Sequence, residues 1–452
     1  MDLSVLIPVW NEAENLRVLL PELHRMLRQL ALRYEILVVD AGSVDGSREV
    51  AEGLETRVLR QREPGYGDAL RDGFAAARGD YVLTMDADYS HEPSLAARLW
   101  LDRHGADLVI ASRYVTGGGA EMPAVRLALS RTLNAIYRSV LDLPFRDLSS
   151  GFRLYRTSAL RTVRTTARNF DVLPEVLVQL YAEGYRIRET PFHYRPRRKG
   201  RSHARLLSFG WAFLLTLRRM RQLRNSIQSA DYDVRAYDSL IPLQRYWQRK
   251  RHRIVTRFLE PGGRVLDVGC GSSRMIIDAP ETVGMDVAMR KLRFLRGKVK
   301  MLLAGTLNKL PFRDGTFRKV ICSEVIEHVP REQVRLSEFY RVLEPGGTLV
   351  LGTPDYSSWI WRSLERLYRW VNPGGYADEH INQYRYDALQ RELEREGFEV
   401  VEVGLICWSE MIFKARKRGS DPALAGLPEE AIPDSVEACR ELASDSGPAS
   451  FE

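Results

Sequence analysis

The run Tyr81-Val82-Leu83-Thr84-Met85-Asp86-Ala87-Asp88 decides how this chain is read. Five residues of strand-like composition end in two acids separated by one alanine. Side chains two apart on a strand share a face, so both carboxylates can converge at its carboxyl end. Two like charges held together are unfavourable unless a cation or protons lie between them. A divalent ion with hard oxygen ligands fits such a pair, and its usual work there is to neutralise a pyrophosphate. D-x-D also occurs in solvated turns, so the surrounding sequence has to carry the argument.

Those surroundings alternate. Leu3 to Pro8, Glu35 to Asp40, Arg57 to Arg60, Tyr81 to Asp86 and Leu108 to Ser112 read as strands, with helical stretches at Glu12 to Leu30, Gly46 to Glu52, Tyr66 to Ala77 and Ser94 to Arg103. This predicts a doubly wound α/β sheet whose ligand crevice lies at the carboxyl ends of the strands. Asn11, Glu12, Asp40, Asp86, Asp88 and Ser112-Arg113-Tyr114 all fall at such ends. A second start follows residue 231. Tyr237 to Phe258 reads as a basic, aromatic helix, Glu260-Pro261-Gly262-Gly263 as a turn, and Arg264 to Val268 as a new strand. The expectation is two doubly wound α/β domains, 1–228 and 229–418, followed by an acidic tail, 419–452, without periodicity and disordered.

Composition narrows the setting. A chain of 452 residues exceeds one ordinary core, and 44% hydrophobic content suits globular domains. Cys270, Cys322, Cys407 and Cys439 are far apart, pointing to neither zinc nor a disulfide framework, and a reducing cytoplasm is expected. No basic-then-apolar leader precedes the first strand. Residues 190–230 hold ten Arg or Lys and no acid, a patch that attracts phosphates or is simply a solvated face. Within it, Leu206 to Leu217 is too short to cross a bilayer, which needs about 20 apolar residues. Flanked by arginines, it fits an interfacial helix or a core helix equally, so a peripheral membrane surface is a candidate partner.

The motifs of the first half resemble family 2 glycosyltransferases of the dolichyl-phosphate mannose synthase type. The residues carrying this are Ile7-Pro8-Val9-Trp10-Asn11-Glu12, Val39-Asp40-Ala41-Gly42-Ser43-Val44-Asp45-Gly46-Ser47, the D-x-D run through Pro93, Ser112-Arg113-Tyr114 with Gly117-Gly118-Gly119, Ser149-Ser150-Gly151-Phe152-Arg153, and Arg197 three before Gly200. The resemblance implies a GT-A fold in which Pro8, Asn11, Glu12 and Asp40 line a nucleotide pocket. It implies Mg²⁺ or Mn²⁺ on Asp86 and Asp88, with Ser90 a possible third ligand. Arg113, Arg131 and Arg197 match the family's phosphate-binding arginines, Arg131 with the weaker motif support. The donor would be GDP-mannose or, behind it, UDP-glucose, and the acceptor a polyprenyl phosphate. Such an acceptor is already anionic and needs no general base. A sugar hydroxyl acceptor with Asp147 as base is the alternative. One departure is His203 after Ser202, where the family has lysine.

Val265-Leu266-Asp267-Val268-Gly269-Cys270-Gly271 resembles the first motif of class I S-adenosylmethionine-dependent methyltransferases, whose fold is Rossmann-like. Arg274 stands where a dinucleotide fingerprint needs its third glycine, which disfavours NAD. Asp286 closes the next strand, and the resemblance implies that it bonds the cofactor's ribose while Asp267, Gly269 and Gly271 line the same pocket. The runs Leu310 to Phe317, Cys322 to Val329, Leu343 to Leu349 and Glu396-Gly397-Phe398 extend the match. His328 is a candidate base for an acceptor hydroxyl, or a structural histidine. Thr306 and Arg318 depart from acidic positions of the family, so a non-catalytic scaffold on the same fold is the competing reading. The chain is thus expected to be a bifunctional transferase, metal-dependent and inverting in its first half and methylating a small molecule or glycan in its second. Nothing resembles a nucleic-acid-binding module, and no nucleic-acid partner is expected.

Overall fold

The computed structural model describes residues 1–196, 206–371 and 380–418. Arg197, Ser202, His203 and the acidic tail therefore lie outside the described residues.

The first half is built on a seven-stranded sheet ordered β3-β2-β1-β4-β7-β5-β8. Its strands are β1 (Leu3–Val9), β2 (Tyr34–Asp40), β3 (Arg57–Arg60), β4 (Tyr81–Thr84), β5 (Leu108–Ser112), β7 (Arg153–Arg156) and β8 (Ile187–Pro191). A two-stranded sheet pairs β6 (Gly119–Ala120) with β9 (His193–Tyr194). Alternation along β1 explains the layering. Leu3, Val5, Ile7 and Val9 face the helices Ala13–Gln29 and Pro93–Leu101, whereas Leu6 faces Tyr66–Ala76 and Val172–Ala182. Both faces are buried, so the central strands are nearly all apolar. The sheet is mixed: β7 runs antiparallel to β4 and β5. That strand lay outside the sequence expectation because Arg153-Leu154-Tyr155-Arg156 carries two arginines. Arg153 is fully buried, and its guanidinium donates to the carbonyls of Ser150 and Leu173 (2.7 Å each) and of Leu148.

The second half has a seven-stranded sheet ordered β12-β11-β10-β13-β14-β16-β15. These are β10 (Val265–Val268), β11 (Val283–Asp286), β12 (Met301–Ala304), β13 (Phe317–Ser323), β14 (Leu343–Pro354), β15 (Phe398–Ile406) and β16 (Glu410–Lys417). The first five strands are parallel, and β16 returns antiparallel between β14 and β15.

Between the sheets the helix expected over Tyr237 to Phe258 begins only at Pro242 and ends at Phe258, and a separate short helix, Tyr232–Tyr237, precedes it. Pro242 opens the second at a first-turn position where its missing N–H has no role. The crossing from one half to the other is pinned rather than loose. Ala230 N–H donates to Ala182 O (2.7 Å), and Asp231 is paired with the fully buried Arg224 (Nη2 to Oδ2, 2.8 Å). Residues 229–231 therefore pack with the first half, past the expected boundary at 228. The halves also meet through Glu183, which pairs with Arg293 (3.2 Å) and Arg290 (3.8 Å).

The helix Leu206–Arg224 reconciles the two expectations for Leu206 to Leu217. Phe213, Leu217 and Met220 pack on the core, whereas Trp211, Leu214 and Leu215 are exposed. No helix among the described residues is long and apolar enough to cross a membrane.

Removing one partner of a buried ion pair leaves the other charge uncompensated. Asp231→Ala should lower stability by about 3–5 kcal/mol, read as an earlier transition in urea unfolding, while the exposed-pair variant Glu55→Ala, whose partner is Arg28, should change it little.

Candidate functional site

The first crevice opens where the strand order reverses. From β1 the chain runs outward to β2 and β3, and from β4 it runs to the other side, leaving the carboxyl ends of β1 and β4 uncovered. The loops after β1 and β2 are laced together there. Asn11, held at φ 56°, donates its N–H to Ser43 Oγ (2.9 Å) and accepts Val44 N–H on Oδ1 (2.9 Å). Glu12 N–H donates to Ser47 Oγ (2.8 Å), and Ala13 N–H to Asp45 Oδ2 (3.0 Å). Asp40 accepts the amides of Ser43 (3.1 Å) and Gly42 (3.3 Å). Pro8, Asn11, Glu12 and Asp40 thus share one end of the sheet, with Asp40 buried and Asn11 exposed.

Asp86 and Asp88 differ from the strand-pleat expectation. β4 ends at Thr84, its last bond to β1 being Met85 N–H to Leu6 O (3.1 Å), and the acids lie beyond it. His91, not strand geometry, fixes the first of them: its Nδ1 accepts Asp86 N–H (3.1 Å). The imidazole stacks on Phe152 (centroids 4.7 Å, 13°), and burial lowers its pKa so that it stays neutral. Ser90 N–H donates to Asp88 Oδ1 (3.1 Å). Opposite, Thr84 Oγ1 donates to Gly151 O (2.6 Å). A Cβ on Gly151 would stand 2.7 Å from Tyr66 Oη and 3.7 Å from Asp86 Oδ1, so only glycine lets these groups close on the acid. Tyr66 Oη, Ser90 Oγ and Ser150 Oγ are buried without a hydrogen-bond partner among the described residues. Burial and then the Asp86 charge push the Tyr66 hydroxyl well above its ordinary pKa. Three buried orphan hydroxyls around two carboxylates form a cradle whose polar capacity the protein itself leaves unfilled.

Arg113 is not presented as an open fork. Its Nε and Nη2 donate to Asp147 Oδ2 and Oδ1 (2.8 Å each), and Nη2 also donates to Ser149 Oγ (2.8 Å). Asp147 is fully buried and also accepts the amides of Arg113 (3.0 Å) and Ser150 (3.0 Å). Burial opposes its ionisation, yet Arg113's hydrogen bonds and charge hold the carboxyl below its usual value. A carboxylate so enclosed and held below its usual value is a weak base for an exposed acceptor. Arg113 and Arg131 share the Tyr114 ring, their guanidinium carbons 5.1 and 6.0 Å from its centroid.

The second crevice repeats the reversal between β10 and β13. Gly269 (φ 69°) and Gly271 (φ 56°) turn the chain after β10. The amides of Gly271 and Ala288 donate to the two oxygens of Asp286 (2.8 and 2.7 Å). Asp267 is buried with Oδ2 unpartnered, and burial, then the charge of Asp286, raises its pKa to about 7. A Cβ on Gly271 would meet Asp233 Oδ2 at 2.6 Å. Asp233, from the helix Tyr232–Tyr237, accepts Ser272 N–H (2.8 Å) and Lys291 Nζ (2.8 Å). Beyond β13, Glu327 and His328 lie on a short 3₁₀ turn and His380 comes against them, rings 4.8 Å apart.

Comparison with known proteins relates each half of the chain to a family. The Glycosyl transferase family 2 model matches residues 4–164, and a Methyltransferase domain model matches residues 240–403. The chain is 34% identical over 213 residues to a dolichol-phosphate mannosyltransferase of Pyrococcus furiosus, covering 45% of this chain and 59% of that protein. It is 36% identical over 212 residues to a polyprenol monophosphomannose synthase of Mycolicibacterium smegmatis, covering 43% of this chain and 78% of that one. The chain belongs to glycosyltransferase family 2. Its C-terminal half carries a methyltransferase domain. Among solved structures, glucosyl-3-phosphoglycerate synthase of Mycobacterium tuberculosis is 20% identical with a TM-score of 0.39, covering 48% of this chain and 79% of that one. A SAM-dependent methyltransferase of Thermotoga maritima is 20% identical with a TM-score of 0.33, covering 40% of this chain and 98% of that one.

For this family 2 member, sequence reasoning brought Pro8, Asn11, Glu12, Asp40, Asp86, Asp88 and Ser90 to one crevice edge, and Asp267, Gly269, Gly271 and Asp286 to another. It gave no role to Tyr66, Ser150, His91, Asp233 and His380. His91 and Ser150 fall inside motifs of the first half and Tyr66 opens an expected helix, but Asp233 and His380 have no local signature that ties them to distant partners.

The Arg113–Asp147 pair sets an acid limit. Asp147's folded pKa lies below the unfolded value of about 3.9, so its stabilisation is complete above that value and is lost as pH falls through the folded pKa. Urea unfolding of the protein should lose stability progressively below about pH 4, and Asp147→Ala should remove that component of the acid dependence.

Proposed function

We propose that the first domain transfers a hexose, with inversion, from a nucleotide sugar to a polyprenyl phosphate, and that the second is an S-adenosylmethionine-dependent methyltransferase acting on a small molecule or glycan. GDP-mannose is the leading donor and UDP-glucose the alternative, the relatives being mannosyl transferases by name.

Asp147 carries the acceptor assignment. A hydroxyl acceptor needs a base, and the carboxylate in reach of that role is buried against Arg113. A phosphate monoester arrives ionised at neutral pH and needs none. Exposed apolar side chains on two packed helices support a lipid partner. Val125, Leu129, Ile136 and Val140 line Ala124–Leu141, and Trp211, Leu214 and Leu215 line Leu206–Arg224, with Arg126, Arg138 and Arg218 also exposed. Apolar side chains among arginines suit the headgroup boundary of an anionic membrane.

The residues around Asp86 and Asp88 fit a divalent ion with hard oxygen ligands: two carboxylates and the unpartnered Ser90 hydroxyl. Mg²⁺ or Mn²⁺ bound there would supply charge neutralisation for a leaving diphosphate. Tyr66 and Ser150 would add hydroxyl donors to the same group, and Asn11, Glu12 and Asp40 would hold the nucleoside. In the second crevice, Asp286 has lone pairs beyond those taken by its two amides, and Asp267 Oδ2 has no donor, which fits a ligand bearing hydroxyls and an ammonium group.

Radiolabelled GDP-mannose and UDP-glucose, each incubated with polyprenyl phosphate and Mn²⁺, test the first activity. Label should enter the lipid fraction, cease with EDTA, and fall by about 10²-fold or more in Asp88→Ala, the scale of losing one preorganised electrostatic contact. Transfer that survives both treatments rejects the metal role. Calorimetry with S-adenosylmethionine tests the second: binding by the full chain should be lost in Asp286→Ala, and no binding by the parent would leave the domain a scaffold.

A further inference from the structure

Among the described residues, one group of side chains can hold a metal ion and has no part in the chemistry derived above. Ligand atoms of Glu327, His328 and His380 all lie within 4.8 Å of one another. The main chain builds this meeting. Ile381 and Asn382 donate their N–H groups to Glu327 O (2.9 and 3.1 Å), and Asn382 Nδ2 donates to Ile326 O (3.3 Å). His380 is thereby anchored to the turn that carries the other two.

The hydrogen bonds behind His380 fix its tautomer. Tyr356 Oη is 3.0 Å from Glu365 Oε1, and a carboxylate only accepts, so the tyrosine donates there. Tyr356 Oη then accepts from His380 Nδ1–H (2.8 Å), leaving the Nε2 lone pair for a ligand. Histidines that bind metals are held in this way through the other ring nitrogen.

A second observation is independent of that geometry. Glu327 is fully buried; Oε2 accepts Thr353 Oγ1 (3.1 Å), and Oε1 has no hydrogen-bond partner among the described residues. Glu324, one 3₁₀ turn earlier, has a buried, unpartnered Oε1 as well, its other oxygen being 3.1 Å from Arg251. Its backbone lies at φ 60°, a strained position for a non-glycine residue and one that accumulates at functional sites. Buried carboxylate oxygens without a donor are expensive unless a cation or a proton meets them, and here two imidazoles stand beside Glu327 to complete a cation's ligand set.

We propose that Glu327, His328 and His380 form a divalent metal site, and that the ion's open positions receive a hydroxyl of the methyl acceptor. Two imidazoles and one carboxylate suit a borderline cation such as Zn²⁺, Mn²⁺ or Co²⁺ better than Ca²⁺. Three protein ligands leave room for a substrate oxygen. Placement fits that use: the methyls of Val325, two residues before Glu327, occupy the space over Gly269 in the donor loop. The acceptor half of this inference rests on the methyltransferase reading; the ion site does not. In the transfer, the acceptor oxygen's lone pair forms the new O–C bond, the C–S bond breaks with its electrons going to sulfur, and the hydroxyl proton leaves to solvent. His328 then acts as a ligand in place of the base expected from sequence.

The test uses the full chain carrying Asp86→Ala and Asp88→Ala, so that the other candidate ion site is silent, titrated with Co²⁺ and followed by visible absorption. One saturable equivalent with the d–d bands of a nitrogen-ligated ion is expected. His328→Ala and His380→Ala should each abolish the bands. Tyr356→Phe, which spares every ligand, should weaken Co²⁺ binding about 10- to 100-fold, with melting curves confirming that the variants fold. Parallel calorimetry with S-adenosylmethionine separates the two claims. Co²⁺ bands without S-adenosylmethionine binding support the ion site and remove only the methyl-donor reading. No saturable bands in the parent, or bands undiminished in both histidine variants, overturn the site.

Discussion

Both halves depend on the reversal of strand order beside their first strand. Crossovers from β1 and β4, or from β10 and β13, depart to opposite sides, and neither can cover the carboxyl edge between them. That edge must be finished by loops whose backbone groups cannot pair in the sheet, so side chains complete the pairing. Asp40, Asp45 and Ser47 do this in the first half, and Asp286 and Asp233 in the second. The polar residues that line each crevice are the same ones that hold its loops in place.

Arginine divides into two populations that composition alone cannot separate. Arg153 and Arg224 are fully buried and both terminate on main-chain carbonyls, Arg224 on the Asp231 carboxylate as well. Arg126, Arg138 and Arg218 lie exposed beside apolar side chains. A buried guanidinium is weak evidence for net stability, because desolvation offsets much of the attraction. What it fixes is position. Arg153 holds the carbonyls of Leu148 and Ser150, and the Arg113–Asp147 pair holds the amide of Ser150, so Gly151 is placed against Asp86 from two directions.

Much of this was legible where burial on both sheet faces forces continuous apolar runs. β3 and β5 begin and end where the sequence places them, and β1 and β2 are each longer by one residue. The D-x-D turn was legible as a motif but not as geometry, because the residue that orients Asp86 is His91, whose imidazole looks like any other in the sequence. β7 was hidden by its two arginines, and the break before Pro242 was available from the proline itself. Asp147 and His380 were not readable in their observed surroundings. Each depends on a partner brought from far along the chain, Arg113 in one case and Glu327 in the other, and periodicity reports only what a residue does within its own element.

The junction between the halves constrains how they work together. Asp231 is held in the first half by the buried Arg224, while Asp233, on the same short helical turn, closes on the loop of Gly271 and on Lys291. Gly271 at φ 56° has no room for a Cβ because that carboxylate fills the space. Two acids separated by one residue therefore anchor to different halves. Nearby, Gly184 at φ 79° brings backbone to within a methyl's reach of Arg290 O, and Glu183 receives Arg290 and Arg293. A tether that merely kept two transferases on one chain would need none of these contacts. The packing instead fixes the glycine loop of the second half relative to the first, with Asp231 and Asp233 on one short turn joining Arg224 to Ser272.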